Sequence, residues 1–286
     1  MRDLKGKVVV VTGAGSGLGR CLALEFAGHG AKVHGVDIDG ARADALQREA
    51  RASGLLSVSG HQVDCSDVVA VEALAAGIMD EDGRVDVLVN NAGVCVGGLV
   101  QDIPLKDWQW ITDVNWWAAV NGIRAFLPGM IQRGEGHVVN VASMAGVLGL
   151  PGVAPYCATK AAVVALSESM AIEVASAGVG VTVVCPGSIR TRVIEDARLA
   201  MPAAWKNRLA GLMDRWSRSP ERVAARVVRA VRSGRSVLRL PGELWPLWIL
   251  RRLSTRVYIG VLSRAFGPSM RTWRAKSPES AGKDAK

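Results

Sequence analysis

Short runs of mostly apolar, often β-branched residues alternate with longer amphipathic segments along most of the chain. The runs are Val8–Val11, Lys32–Asp37, Ser57–Val63, Val85–Val89, His137–Val141 and Val179–Cys185. Between them lie Leu18–Gly28, Ala41–Ala52, Asp67–Glu81, Leu105–Ile131 and Tyr156–Ala177, each long enough for a helix. Strands without a polar face predict a parallel sheet covered on both sides. The repeating strand–helix order favours a doubly wound α/β fold over an α+β one, and the eight regular units of a barrel do not appear. Ser219-Pro220-Glu221 predicts a helix start, with serine as cap, proline in the first position and an acid in the first turn. That helix runs to about Ser233, and Val237–Leu240 then supplies a seventh strand ending at Pro241-Gly242.

Composition changes this picture little, but charge divides it. The 286 residues, 49% hydrophobic and 21% charged, suit a globular protein with a generous core. Residues 1–200 carry 16 Lys and Arg against 21 Asp and Glu, whereas residues 201–286 carry 19 against 5. The basicity therefore belongs to the C-terminal segment, and the aromatics there are not spaced as a base-stacking platform, which argues against nucleic acid as a partner. Cys21, Cys65, Cys95, Cys157 and Cys185 stand singly, so neither a disulfide framework nor a metal site is predicted. The first residues run straight into Val8–Val11, leaving no room for a secretory signal, and the expectation is a reducing, cytoplasmic setting. Leu244–Leu250 is too short for a membrane span and contains Pro246.

The first strand is followed by Thr12-Gly13-Ala14-Gly15-Ser16-Gly17-Leu18-Gly19. Glycines let a backbone approach a pyrophosphate closely, and the helix that begins there aims free N–H groups at it. Such turns also occur for packing alone. Asp37, however, ends the second strand 18 residues after Gly19, where a dinucleotide fold reads the adenine ribose. A carboxylate there accepts from the ribose hydroxyls and repels a 2′-phosphate, and neither Ser16 nor Ile38 offers a positive charge, so NAD is preferred over NADP. The plain alternative for Asp37 is a solvated loop acid.

Tyr156 and Lys160 are four apart at the start of a helical segment and so share a face. A neighbouring ammonium is expected to pull a phenol below its usual pKa of about 10, making it usable as an acid or a base. An ordinary helix with a partly exposed Tyr and Lys is the bland alternative. The other tyrosine, Tyr258, has no lysine in register. Ser143 follows the strand His137–Val141, at the end of the sheet where ligands bind.

Taken in order, these motifs resemble the short-chain dehydrogenase/reductase family over roughly residues 5–240. The resemblance rests on TGAGSGLG at 12–19, Asp64 after the third strand, Asn90-Asn91-Ala92-Gly93 after the fourth, Asn115, Ser143, Tyr156/Lys160 and Pro186-Gly187-Ser188-Ile189-Arg190-Thr191. The TGxxxGxG spacing is similar to that of simple dehydrogenases rather than sugar epimerases. The resemblance implies a Rossmann-type sheet of about seven strands. It implies Tyr156 as acid/base, Ser143 as donor to the substrate oxygen, Lys160 as pKa tuner and ligand of the nicotinamide ribose, and Asn115 as holder of a relay water. In the cofactor site it implies Gly13, Ser16, Gly17, Leu18 and Gly19 around the pyrophosphate, with Asp37 on the adenine ribose. Asp64 and Cys65 fall on the adenine, Asn90 and Gly93 beside the ribose, and Pro186, Ile189 and Thr191 near the carboxamide. No metal is required, and a homodimer or homotetramer is implied.

The chain continues past residue 242, where a minimal member of that family would end. Residues 243–275 form a basic amphipathic extension and residues 276–286 a flexible tail. On a helix, Leu250, Leu253, Val257 and Val261 form one apolar stripe, with Arg252 and Arg256 opposite. The extension covers the substrate cleft, lies peripherally on a membrane, or joins subunits; the stripe suits all three. An apolar extension also suits a hydrophobic alcohol or ketone such as a steroid, a retinoid or a lipid. The expected function is an NAD(H)-dependent oxidoreductase on such a substrate. The rivals are an NADPH-dependent ketoacyl-type reductase and a non-catalytic dinucleotide sensor.

Overall fold

The computed structural model describes residues 3–189, 197–201, 205, 211, 217–240 and 245–274. The first half alternates β1 (Val8–Thr12), α1 (Gly17–Gly28), β2 (Lys32–Asp37), α2 (Gly40–Ala52), β3 (Val58–Gln62), α3 (Val68–Asp82) and β4 (Val87–Asn90). There follow β5 (Val96–Gly98), α4 (Leu105–Thr112), α5 (Ala118–Arg133), β6 (Gly136–Val141), the one-turn α6 (Met144–Val147), α7 (Ala154–Glu173) and β7 (Val179–Pro186). The last described elements are β8 (Arg198–Ala200), α8 (Pro220–Ser233), β9 (Val237–Leu240), α9 (Trp245–Leu253) and α10 (Thr255–Arg274).

Seven strands pair in parallel, as the hydrophobic pattern predicts, and the structure gives their order as β3-β2-β1-β4-β6-β7-β9. The order of addition reverses between β1 and β4, so their carboxyl ends flank the crevice where such sheets bind ligands. The Val8–Val11 run shows why the sheet has no wet face. Val9 and Val11 pack with Leu22 and Phe26 of α1 and Val227 of α8, while Val8 and Val10 pack with Ile78 of α3 and Phe126 of α5. Helix starts follow their caps: the Asp67 carboxylate accepts from Val69 N and Ala70 N, and Ser219 from Arg222 N.

Three features depart from the pattern. The segment Leu105–Ile131, predicted as one helix, contains a π turn at Asp113–Trp117 that separates α4 from α5. The elements β5, α6 and β8 are too short to show either hydrophobic period; β5 and β8 form a separate two-stranded parallel sheet. The apolar stripe foreseen in the C-terminal extension divides between an inner and an outer face. Leu253, Val257 and Val261 are 79%, 50% and 42% exposed, whereas Tyr258 and Trp273 are buried and Leu247, Leu250 and Leu262 are partly buried. On α10 the packing face is thus rotated by one residue, about 100° of helix. Its cause is distant in sequence: the Tyr258 hydroxyl donates to the Gly149 carbonyl at 2.9 Å, and the Trp273 ring lies where a Cβ on Gly152 would approach it to 3.1 Å.

Candidate active site

The turn after β1 is built around glycine geometry. Gly13 and Gly17 take left-handed backbone, with φ of +62° and +50°. A Cβ on Gly13 would come within 2.9 Å of Ala92 Cα, and one on Gly19 would overlap the Gly13 carbonyl oxygen. The neighbouring strand pins the turn: Thr12 Oγ1 accepts from Asn91 N at 2.9 Å and Ala92 N at 3.0 Å, while Asn91 Nδ2 donates to the Thr12 carbonyl at 2.9 Å. Ser16 stands at the N-cap of α1 without capping it through its side chain, and the first turn contains no acid. The leading N–H groups of Gly17, Leu18 and Gly19 therefore lack intrahelical acceptors. An open, partly positive helix end reached over a turn whose Gly13, Gly15 and Gly17 carry no Cβ fits a dinucleotide pyrophosphate.

Asp37 is buried beside this turn, where Oδ2 accepts from Gly15 N at 2.9 Å and Oδ1 from Asp39 N at 3.1 Å. Asp64 is exposed and accepts from Ser66 N and Oγ. Cys65 is buried, its thiol pushed up to about 12 by burial, and its carbonyl accepts from Asn121 Nδ2 at 3.1 Å. The Asn90 side chain turns into the core, where Nδ2 donates to Asn140 Oδ1 at 2.9 Å. The resemblance places Asn90 beside the ribose, but its side chain is taken up in the core. Pro186 ends β7, and Ile189 packs partly buried on the α1 side of the core; Thr191 lies outside the described residues. Arg42 is a further residue at this turn, one that the sequence motifs do not single out. A Cβ on Gly15 would run into the Arg42 side chain, and the Arg42 guanidinium pairs with Asp39 at 3.2 Å. The i, i+3 spacing of Asp39 and Arg42 was the available signal.

The chemical residues gather at the carboxyl end of β6. Ser143 Oγ accepts from Ala145 N at 3.1 Å and so caps α6. α7 starts at Ala154 with Pro155 in its first turn, which sets Tyr156 and Lys160 one turn apart. Lys160 is buried; its Nζ donates to the Val141 carbonyl at 2.9 Å and lies 6.0 Å from the Tyr156 ring centroid. Gly93 leaves room for this ammonium, since a Cβ there would stand 3.1 Å from Lys160 Nζ and 3.2 Å from Asn115 Oδ1. Burial lowers Lys160 to about 8.

Tyr156 is partly buried against Val96, Ile103 and Ile111. This setting pushes the phenol above its ordinary range, Cys95 adds to the rise, and the Ser143 hydroxyl opposes it. The sequence predicts the reverse direction, a phenol drawn down by Lys160. The ammonium is committed to the Val141 carbonyl and faces the ring, so desolvation prevails.

Asn115 lies within the π turn, a bulge of the kind that re-aims side chains at functional sites. Its Oδ1 accepts from Val94 N at 2.8 Å, and Nδ2 donates to the Val94 carbonyl and to Thr159 Oγ1 at 3.0 and 3.1 Å. It thereby ties the segment after β4 to the helix carrying Tyr156 and Lys160. The C-terminal extension holds the segment between Ser143 and Tyr156 from the other side. Arg251 donates to the Val147 carbonyl, Tyr258 to that of Gly149, and Trp273 covers Gly152.

Residues 7–201 match the short chain dehydrogenase family. EphD of Mycobacterium tuberculosis, named as an oxidoreductase, is 36% identical over 254 residues, 86% of this chain but 43% of its own length. The chain therefore spans less than half of that relative. Epidermal retinol dehydrogenase 2 of Mus musculus is 34% identical over 255 residues, 88% of this chain and 79% of that protein. A short-chain dehydrogenase/reductase from Burkholderia phymatum, crystallised in complex with NAD, superposes with a TM-score of 0.84 at 31% identity, covering 90% of this chain and 96% of that one. A glycine turn, a serine and a Tyr/Lys pair arranged on this sheet, with a family match over more than half its length, establish that the chain belongs to the short-chain dehydrogenase/reductase family.

Proposed function

We propose that this chain is an NAD(H)-dependent oxidoreductase that interconverts an alcohol and a carbonyl on a hydrophobic substrate. The observation that carries this reading is the meeting of Ser143, Tyr156 and Lys160 beside an uncapped glycine turn. Bound NAD supplies the hydride acceptor for oxidation, and its reduced form the donor for reduction. The Tyr156 hydroxyl gives its proton to the carbonyl oxygen in reduction and takes one from the alcohol in oxidation. Ser143 Oγ donates to the same oxygen and keeps it in line with the phenol. A phenol raised by burial is a weak acid; Lys160, lowered to about 8 by burial, is largely charged at neutral pH and supplies the positive charge beside the phenol as the proton moves, although in the free protein desolvation outweighs it. Asn115 fixes the distance between that helix and the segment after β4.

Asp37 supports NAD, because its carboxylate suits ribose hydroxyls and repels a 2′-phosphate. The NAD complex of the Burkholderia protein supports the same choice. Arg42 favours a second reading, in which its guanidinium leaves Asp39 for the 2′-phosphate of NADP. The apolar wall around Tyr156 and the similarity to a retinol dehydrogenase support a greasy alcohol or ketone. Exposed Leu105, Trp117 and Ile172 on α4, the π turn and α7 support pairing of copies into a homodimer or homotetramer. Initial rates with NAD and NADP across steroids, retinoids, fatty alcohols and short polar alcohols test the proposal. We expect turnover with NAD that favours long apolar alcohols. A strong preference for NADP overturns the role of Asp37, and equal rates on short polar alcohols overturn the substrate class.

A further inference from the structure

We propose that the outward face of α9 and α10 docks the protein on the surface of an anionic lipid bilayer. Ser254 separates the two helices: its N–H donates to the Leu250 carbonyl at the end of α9, and its Oγ accepts from Val257 N at the start of α10. Trp245, Ile249 and Leu253 on α9, and Val257 and Val261 on α10, recur every fourth residue within their helices and are 43%, 42%, 79%, 50% and 42% exposed. Residues four apart lie on one face. Packing within the protein does not account for this stripe, since Leu250, Tyr258, Leu262 and Trp273 already form the inner face. Large apolar side chains in a continuous exposed row mark a contact surface.

Charge identifies what covers it. Residues 245–274 contain six arginines and no acidic residue. Arg252 and Arg256 precede Leu253 and Val257 directly, so guanidinium groups border the apolar row along its length. A second copy meeting this face would set arginine against arginine, which opposes self-pairing. An apolar stripe with a tryptophan near one end and arginines at its margins is the make-up of a helix lying in a bilayer interface, with side-chain stems in the acyl boundary and guanidinium groups on lipid phosphates. No described helix is long and apolar enough to cross a membrane, so the contact is with the surface. The opposite face of the same helices holds the segment between Ser143 and Tyr156, which brings the candidate active site close to the lipid.

The test is co-sedimentation of the full chain with vesicles of phosphatidylcholine alone and of phosphatidylcholine with phosphatidylglycerol in equal parts. We expect pelleting with the mixed vesicles only, decreasing as salt is raised. Arg252→Gln and Arg256→Gln should each lower partitioning about fivefold. The triple variant Leu253→Ser/Val257→Ser/Val261→Ser should lower it at least about tenfold. All of these positions are exposed, and unchanged thermal melting verifies that the variants fold. Pelleting with neither vesicle, or undiminished pelleting of the triple variant, overturns the proposal. So does concentration-dependent self-association, seen by light scattering, that the triple variant abolishes while wild-type protein ignores vesicles.

Discussion

The dinucleotide end and the substrate end of the crevice are built differently. At the first, the glycines and the helix end are local: Gly13, Gly17 and Gly19 lie within seven residues, the uncapped start of α1 belongs to the same stretch, and Asn91 and Asp37 only brace it from outside. At the second, Ser143 and the Tyr156/Lys160 pair are placed locally, but the segments between and around them depend on partners far away in sequence. Ser143 and Tyr156 are joined by a segment whose carbonyls are held by Arg251 and Tyr258, more than 100 residues later. Asn115 works through Val94 and Thr159. In this chain the candidate cofactor end thus rests chiefly on backbone geometry, whereas the candidate substrate end also rests on packing contributed from outside the sheet.

The substrate end should be the easier one to silence without harming the fold. Lys160→Met should lower turnover by about 10²–10⁴-fold, the range of acid–base assistance. Stability should move differently. Burial lowers Lys160 from 10.5 to about 8, so between those values this residue binds more protons in the unfolded chain than in the folded one, and its own contribution to folding stability rises with pH. Lys160→Met should remove that rise, which comparison of urea midpoints at pH 8 and pH 10 reads directly. Equal pH slopes in both proteins would show that Lys160 is not held in a desolvated site.

The glycine turn supplies the converse experiment. Gly19→Ala should weaken dinucleotide binding at least about tenfold, because a Cβ there overlaps the Gly13 carbonyl oxygen. Gly28→Ala at the other end of α1 meets nothing within 4 Å and should leave binding unchanged. Calorimetric titration of both variants with NAD distinguishes a turn that needs glycine from a helix that merely contains it. Asp37→Ala should then shift the NAD/NADP preference about tenfold towards NADP, through loss of repulsion and release of Gly15 N. A preference that does not move would assign the discrimination to Arg42 instead.

The smallest expected effect is at the extension. Tyr258→Phe deletes one hydrogen bond, to Gly149, and should cost about 1 kcal/mol of stability. If the extension shapes the substrate segment, KM for a long apolar alcohol should rise several-fold while kcat and the affinity for NAD stay nearly constant. A drop in kcat with unchanged KM would place Tyr258 nearer the chemistry than the geometry does.

Much of the fold is legible in the sequence because its causes are local. The unbroken Val8–Val11 run needs two apolar faces, and Asp67 and Ser219 announce the helices they cap. The grouping of Ser143 with Tyr156 and Lys160 is likewise foreshadowed by their place at strand and helix ends. Three things stay hidden, each for a physical reason. The π turn around Asn115 is one residue of slack in an otherwise helical period. The inward face of α10 is chosen by the Gly149 carbonyl, which accepts from Tyr258; the apolar Val257 beside it can offer that carbonyl nothing. The direction of the Tyr156 shift depends on how much water surrounds the phenol, which the four-residue spacing to Lys160 does not encode.

The most direct test of the proposed chemistry is Tyr156→Phe, with turnover and NAD affinity measured on the same preparation. Removing the hydroxyl takes away the proton donor and leaves the glycine turn and Asp37 untouched. Turnover should fall by at least about 10²-fold while the Kd for NAD stays within about twofold. A variant that still turns over, or one that loses activity only because it no longer binds NAD, would contradict the role given to the Tyr156 phenol.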